Sequence, residues 1–225
     1  MCNRYKPPEE AEIEREYEVS RKRPLRWWDD LVHPLKTGPY IKAGGELECG
    51  QWGMIPPHSK TRHPADSQGR PLQTNNCRRE RLATAETFRA AWRAGQRCII
   101  PASYWVEPYY GYGNRCTWWA IWRHDGRPAG LAGIWSEWTD PSSGEIVPSY
   151  SMVTQNCAGH PLLSLMHRPD KPEPRTVVLL EHADHDGWLH GTADHAEALI
   201  RLPSVELLGN GPEDPHSPYS PIAAA

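Results

Sequence analysis

Short apolar runs separated by turn residues divide this chain, and their lengths restrict the folds open to it. The runs fall at residues 97–100, 104–107, 116–122, 130–135, 150–154 and 176–180. Each is too short for a stable helix and fits a strand of ordinary length. Helical periodicity is sparse. Residues 8–19 place Ile13 and Tyr17 four apart, and residues 84–93 do the same with Phe88 and Trp92. In the second segment Thr84 is the expected cap and Gly95 the expected stop. Short helices are also predicted over 161–166 and 193–200. Many strands with few helices predict an α+β fold: a curved, mostly antiparallel sheet with a barrel-like core and flanking short helices.

A chain of 225 residues fits one large domain. That domain is expected over residues 2–202, with no internal repeat. Residues 56–75 are rich in Pro, His, Ser, Gln and Asn and read as a long loop of the kind that often carries function. From Pro203 onward Pro, Gly, Ser and Ala dominate, which predicts a disordered tail over 203–225. No apolar run is long enough to cross a bilayer, and the acidic, Pro-containing start is unlike a signal peptide. The expectation is a soluble, intracellular monomer with no membrane partner. Six cysteines form no CxxC pair and no dense framework, which suits reduced thiols in a cytosol. His160 and His167 are seven apart, and His182 and His185 are three apart. Neither pair offers enough ligands for a metal, so no metal and no cofactor are expected.

Charge and aromatic content point to nucleic acid. The net charge is −3, but residues 1–18 hold six Glu, and the tail holds Glu206, Glu213 and Asp214. The stretch between carries 22 basic residues against 19 acidic ones, so the folded part is basic. Basic residues cluster at Arg21-Lys22-Arg23 with Arg26, and at Arg78-Arg79 with Arg81. The first cluster runs into Trp27-Trp28. Basic groups beside paired aromatic rings suit single-stranded nucleic acid, with charge for phosphates and rings for bases. The chain has eleven Trp and one Phe, so most of the Trp must also fill the core.

The start, Met1-Cys2-Asn3-Arg4-Tyr5, carries the sharpest chemistry. Methionine aminopeptidase removes Met1 when the next side chain is small. Processing would leave Cys2 with a free α-amine of pKa about 7.7–8.0 beside a thiol of about 8.5. This 1,2-aminothiol condenses with aldehydes: the amine forms a Schiff base, and the sulfur closes a five-membered thiazolidine. An internal Cys cannot do this, because its nitrogen is an amide.

Four segments in order then resemble one family. Met1-Cys2-Asn3-Arg4-Tyr5 is similar to its Met-Cys-Gly-Arg-aromatic start, and Trp52-Gly53-Met54-Ile55-Pro56 to its Trp-Gly-Leu-Ile-Pro strand. Asn76-Cys77-Arg78-Arg79-Glu80 is similar to its Asn-Ala-Arg-x-Glu motif. Residues 97–102, Arg-Cys-Ile-Ile-Pro-Ala, continuing to Trp105-Val106-Glu107, are similar to its Arg-Cys-Leu-Ile-Pro-Ala segment with the catalytic Glu. A looser match is Met166-His167. The chain resembles the SOS-response-associated peptidase family over about residues 2–181. Members of that family process abasic sites in single-stranded DNA. Departures are Asn3 for Gly, Cys77 for Ala, Tyr104 for Gly, and Pro108 for the Trp after the Glu. The usual His-x-Arg-Met-Pro becomes His167-Arg168-Pro169, so either Arg168 or Arg175 could take the family arginine's place.

The resemblance implies a sensor that crosslinks covalently to the abasic aldehyde through Cys2 and shields the lesion. It also implies lyase and self-processing peptidase activities. Glu107 would transfer protons at the Schiff base. His167 would open the sugar ring and serve β-elimination. Asn76 would bond the sugar or hold the Cys2 amine. Arg4 and Arg78 would bind phosphates, Trp27 and Trp28 would stack on bases, and Trp52 would stack or fill the core. Thr154 and Asn156 would touch the lesion or its phosphate. The partner is single-stranded DNA with abasic sites, and the expected place is the cytoplasm, on the nucleoid when bound. Two other readings of the residues stay open: an N-terminal nucleophile hydrolase using Cys2, and a non-catalytic single-strand binding module.

Overall fold

The computed structural model describes residues 2–20, 28–112, 115–168, 170 and 173–223. Among these, the strands are β1 (Arg4–Lys6), β2 (Thr37–Lys42), β3 (Glu46–Trp52), β4 (Asn76–Arg78), β5 (Arg97–Ala102), β6 (Tyr104–Tyr109), β7 (Thr117–Arg123), β8 (Ala129–Thr139), β9 (Ile146–Asn156), β10 (Arg175–Val177), β11 (Leu179–Leu180) and β12 (Leu208–Pro212). Four short helices flank them: α1 (Glu10–Tyr17), α2 (Glu86–Arg93), α3 (His185–His190) and α4 (Ala193–Ala198). No helix is long and apolar enough to cross a membrane.

The strands pair β9–β3–β2–β5–β8, and β8 returns to β9, which closes a five-stranded barrel. The β3–β9 pairing is parallel and the other four are antiparallel. Closure leaves the five strands of the circuit paired on both sides, and β4 and β10 add to β9 and β11 to β8. A second, fully antiparallel sheet runs β1-β6-β7-β12. Successive side chains alternate across the barrel wall. Tyr40, Cys98, Ile100, Leu131, Tyr150 and Met152 face one core. Their neighbours Ile41, Ile99, Ala132 and Val153 face another, under α1, α2, α3 and α4. Burying each such aliphatic side chain contributes about 1.5–3 kcal/mol, so the two-sided pattern holds both layers.

The second sheet positions the amino terminus. Tyr5 lies opposite Trp105 in β6. On its other side it exchanges backbone hydrogen bonds with Val32, at 3.1 and 2.8 Å. The fully buried Tyr5 side chain meets the Tyr150 hydroxyl across the barrel. Gly38 makes this approach possible, because a Cβ there would stand 2.2 Å from the Tyr150 hydroxyl and 2.3 Å from that of Tyr5. A chain start pinned in this way does not fray as most termini do.

Several expectations need correction. Residues 161–166 form only a single 3₁₀ turn, Leu163–Leu165. Thr84 does not cap α2; the cap position is Ala85, and no side chain bonds there. β5 continues through Pro101, which sits opposite Gly130. Strands β1, β2, β3 and β4 and helix α3 are additions. The region 203–225 is not wholly a loose tail, because β12 pairs with β7 from Leu208 opposite Arg123 to Pro212 opposite Trp119. Its Gly-rich composition hides a strand whose hydrogen bonds are backbone groups. The domain therefore runs past residue 202.

Candidate active site

Cys2 is fully buried just before β1, and its thiol donates to the carbonyl of Arg4 at 3.2 Å. Its own carbonyl is gripped by two carboxamides: Asn76 Nδ2 donates at 2.8 Å and Asn75 Nδ2 at 3.4 Å. Asn76 opens β4, which lies parallel to β9 with Asn76 beside Met152. Pairings made more than seventy residues away thus fix the second residue of the chain. Asn76 Oδ1 is buried and has no hydrogen-bond partner among the described residues. Asn75 is a site residue that the sequence reading passed over, although the Asn75-Asn76 doublet signalled it.

Glu107 is fully buried on β6, opposite Trp119 in β7. Burial raises its pKa from 4.5 to about 7, against the pull of the positive amino terminus. A carboxyl held there exchanges protons readily near neutral pH. Burial pushes the Cys2 thiol far up, and the Glu107 charge adds to this. Cys157 is pushed to about 12 for the same two reasons, burial first. A second buried thiol therefore lies within electrostatic range of Glu107. Nothing in the sequence marked Cys157 as part of this site.

His167 follows the 3₁₀ turn. Its Nε2 meets the carbonyl of Arg175, which can only accept, so Nε2 carries the proton and Nδ1 is left as the acceptor nitrogen. Burial lowers its pKa to about 4. The ring is therefore neutral at pH 7 and acts as base or neutral donor rather than as imidazolium. Arg175 is buried, with Nη2 on Glu80 at 2.8 Å and on the Thr154 carbonyl at 3.0 Å. Arg168 is exposed and pairs with Asp170 at 3.1 Å. Of the two arginines, Arg175 is the one joined to His167.

His160 is a brace. Its Nδ1 accepts from the amides of Leu162 and Leu163, and Nε2 donates to the carbonyl of Pro203 at 3.0 Å. Both ring nitrogens are spent on backbone, and no helix aligns this ring with His167.

The residues expected to touch DNA divide. Arg78 is exposed on β4, two residues from Asn76 and on the same face, with Glu173 3.6 Å away. Arg4 lies over the Trp118 ring, 4.4 Å from its centroid, and its guanidinium pairs with Glu213. Trp52 cannot stack on a base: it is fully buried, edge-on to Tyr5, and its indole donates to the Asn75 carbonyl at 2.8 Å. Trp28 is half-buried and packs on the outer core. Trp27, Arg21, Lys22, Arg23 and Arg26 lie outside the described residues. Thr154 is buried, with its hydroxyl on the Cys77 carbonyl at 3.4 Å, so it braces β4. Asn156 is exposed, but its side chain accepts from the amide of Ala158 at 2.8 Å and shapes a turn. Arg79 pairs with Glu197 and so does not add to a free basic patch.

The SOS response associated peptidase (SRAP) family model matches residues 1–208. The chain is 25% identical over 145 residues to the abasic site processing protein HMCES of Pongo abelii, and 27% over 128 residues to that of Xenopus tropicalis. These stretches take in 52% and 48% of this chain but 39% and 36% of those proteins, so the chain spans less than half of their length. A crystal structure of a Bordetella bronchiseptica protein superposes with a TM-score of 0.84 at 28% identity, covering 94% of this chain and 99% of that one. A Bacteroides thetaiotaomicron protein has the same fold at 17% identity, with a TM-score of 0.73, covering 93% and 90%.

Proposed function

We propose, for a chain that belongs to the SOS response associated peptidase (SRAP) family, that it captures abasic sites in single-stranded DNA as a covalent adduct on Cys2. The observation that carries this reading is the fixing of Cys2. A residue at a chain start is normally mobile, whereas here two asparagine amides hold its carbonyl and Glu107 lies within range of its thiol.

Removal of Met1 creates the α-amine. The amine attacks the aldehyde carbon of the ring-opened sugar, and the carbinolamine loses water to give a Schiff base. The Cys2 sulfur then adds to that carbon, its proton leaves, and a thiazolidine closes. Glu107, poised near pH 7, takes the proton from the attacking amine and returns one to the departing water. His167 Nδ1 accepts the sugar hydroxyl proton as the ring opens. Asn76 Oδ1 has the capacity to accept a hydrogen bond from the sugar. Arg78 lies where a flanking phosphate would be met. The same amine and bases would support strand cleavage by β-elimination, and removal of Met1 by the protein itself would account for a peptidase label.

The test is intact-mass measurement after mixing with single-stranded DNA that holds one abasic site. A heat-stable adduct of protein plus DNA minus water is expected, with none on intact DNA. Cys2→Ala keeps an amine but no sulfur, so its adduct should be labile. An equally durable adduct from Cys2→Ala would refute the thiazolidine. Turnover of peptides without any aldehyde adduct would favour a hydrolase.

A further inference from the structure

Beyond β12, residues 213–222 run back over the end of the second sheet. Prolines at 212, 215, 218 and 221 recur at every third position. Proline has no N–H to offer a ladder, so this segment cannot extend the sheet. Most of it is exposed, and a few contacts hold it. Glu213 places its carboxylate on the Arg4 guanidinium, and its amide donates to the Trp118 carbonyl at 2.9 Å. Tyr219 lies flat on Tyr112, with ring centroids 3.8 Å apart and planes 8° from parallel. Tyr112 Oη donates to the Ser220 carbonyl at 3.4 Å. At the far end the Asn210 side chain exchanges two bonds with the backbone of Ile222, at 2.9 and 3.1 Å.

What this segment covers adjoins the candidate active site. Arg4 is two residues from Cys2 and stacks on Trp118, which is 42% exposed. Tyr112 lies 6.1 Å from Trp119, the register partner of Glu107. A carboxylate on a guanidinium and a ring flat on a ring are the two contacts a nucleotide makes with such groups: phosphate on arginine and base on aromatic.

We propose that Arg4, Trp118 and Tyr112 form a nucleotide subsite for single-stranded DNA beside the lesion, and that residues 213–222 are a displaceable strap that fills it by mimicry. Glu213 stands where a phosphate binds, and Tyr219 where a base stacks. The inference rests on the reading that this end of the sheet receives single-stranded DNA. An incoming strand exchanges these contacts for its own, so the strap weakens binding of strands that bring no aldehyde to make the exchange permanent.

Fluorescence anisotropy with an unmodified single-stranded oligonucleotide and the full chain tests this. Glu213→Gln removes one partly buried ion pair and should bind about 2–5-fold tighter. Tyr219→Ser removes one stack and should bind about 2–10-fold tighter. Adding Tyr112→Ala to Tyr219→Ser should abolish that gain, because the ring that takes the base is gone. Thermal melts confirm that each variant is folded. Affinities of Glu213→Gln and Tyr219→Ser no tighter than wild type would overturn the proposal, as would a gain that survives Tyr112→Ala. Adduct formation on abasic DNA, followed in parallel, separates the two readings. Tighter binding without any adduct upholds the strap and sinks the crosslink. Adducts with unchanged affinities do the reverse.

Discussion

Replacing Glu107 by Gln should change how stability depends on pH, by an amount that follows from its burial. The native carboxyl titrates near 7 instead of 4.5, because the fully buried site disfavours its charge. Between those values the native protein binds a proton that the unfolded chain has lost. Stability therefore falls as pH rises from about 4.5 to 7 and levels off above. At 1.36 kcal/mol per pH unit, the wild type should lose roughly 2–3 kcal/mol from this group between pH 5 and pH 8. Glu107→Gln keeps the side-chain shape and cannot ionise, so it should lack this loss. Any constant cost of burying the amide cancels in the difference between the two pH values. His167 works in the other direction. Its native pKa is lowered to about 4, so its contribution is lost as pH falls from 6.5 through 4, but it is present in both proteins and cancels too. The assay is urea denaturation followed by fluorescence of the eleven tryptophans at pH 5, 6, 7 and 8. A wild-type-minus-variant difference flat to within about 0.5 kcal/mol across this range would refute the reasoning, since the group would then not be titrating near neutrality. The same variant should slow adduct formation and reversal alike by roughly 10²–10⁴-fold, as loss of a general acid–base group does.

The anchoring of Cys2 should be measurable on its own: Asn76→Ala should cost about 0.5–1.5 kcal/mol, as for loss of one hydrogen bond to a carbonyl that keeps a second donor, and slow adduct formation more than Asn75→Ala, whose bond is longer. Nitrogen-15 chemical shifts should report His167 as the neutral Nε2–H tautomer at pH 7, charging only as pH falls toward about 4; an imidazolium signal at pH 6 would contradict the assignment. Trp52→Ala should destabilise by about 3–5 kcal/mol as a core truncation, while single-strand affinity of the folded protein changes little. A selective loss of DNA affinity with no change in melting would return Trp52 to the binding surface.

Part of each sheet was legible because several strands are rich in β-branched or aromatic residues. β5, β6, β7, β8 and β9 carry β-branched or aromatic residues between turn signals, and each was anticipated near its observed place. β2 and β3 were not, because Gly38, Pro39, Glu46, Glu48 and Gly50 are poor strand formers. They are strands by virtue of their pairing with each other and with β5 and β9. The strand at Leu208–Pro212 was hidden for the same reason: its Gly and Pro content reads as tail, and only the exposed edge of β7 gives it a partner. The DNA-facing expectations show the limit of residue type as a guide. Arg78 and Arg4 are alike in sequence, yet Arg78 is exposed beside an equally exposed Glu173, whereas Arg4 is partly buried under Glu213.

The sequence by itself determined the chemistry on offer. An aminothiol requires Cys at position 2, and proton traffic requires groups such as Glu107 and His167, whose types and order are one-dimensional facts. What those groups can do was decided by the tertiary structure. Glu107 titrates near 7 only because the fold buries it completely, and His167 is held neutral by burial, with the backbone of β10 setting its tautomer. Cys2 is held still only because Asn75 and Asn76 arrive from beside β9. Desolvation and hydrogen bonding depend on what surrounds a group in three dimensions. For Cys2 those surroundings come from residues more than seventy positions away, and for His167 from the next strand, eight residues on; no local pattern in the chain encodes them.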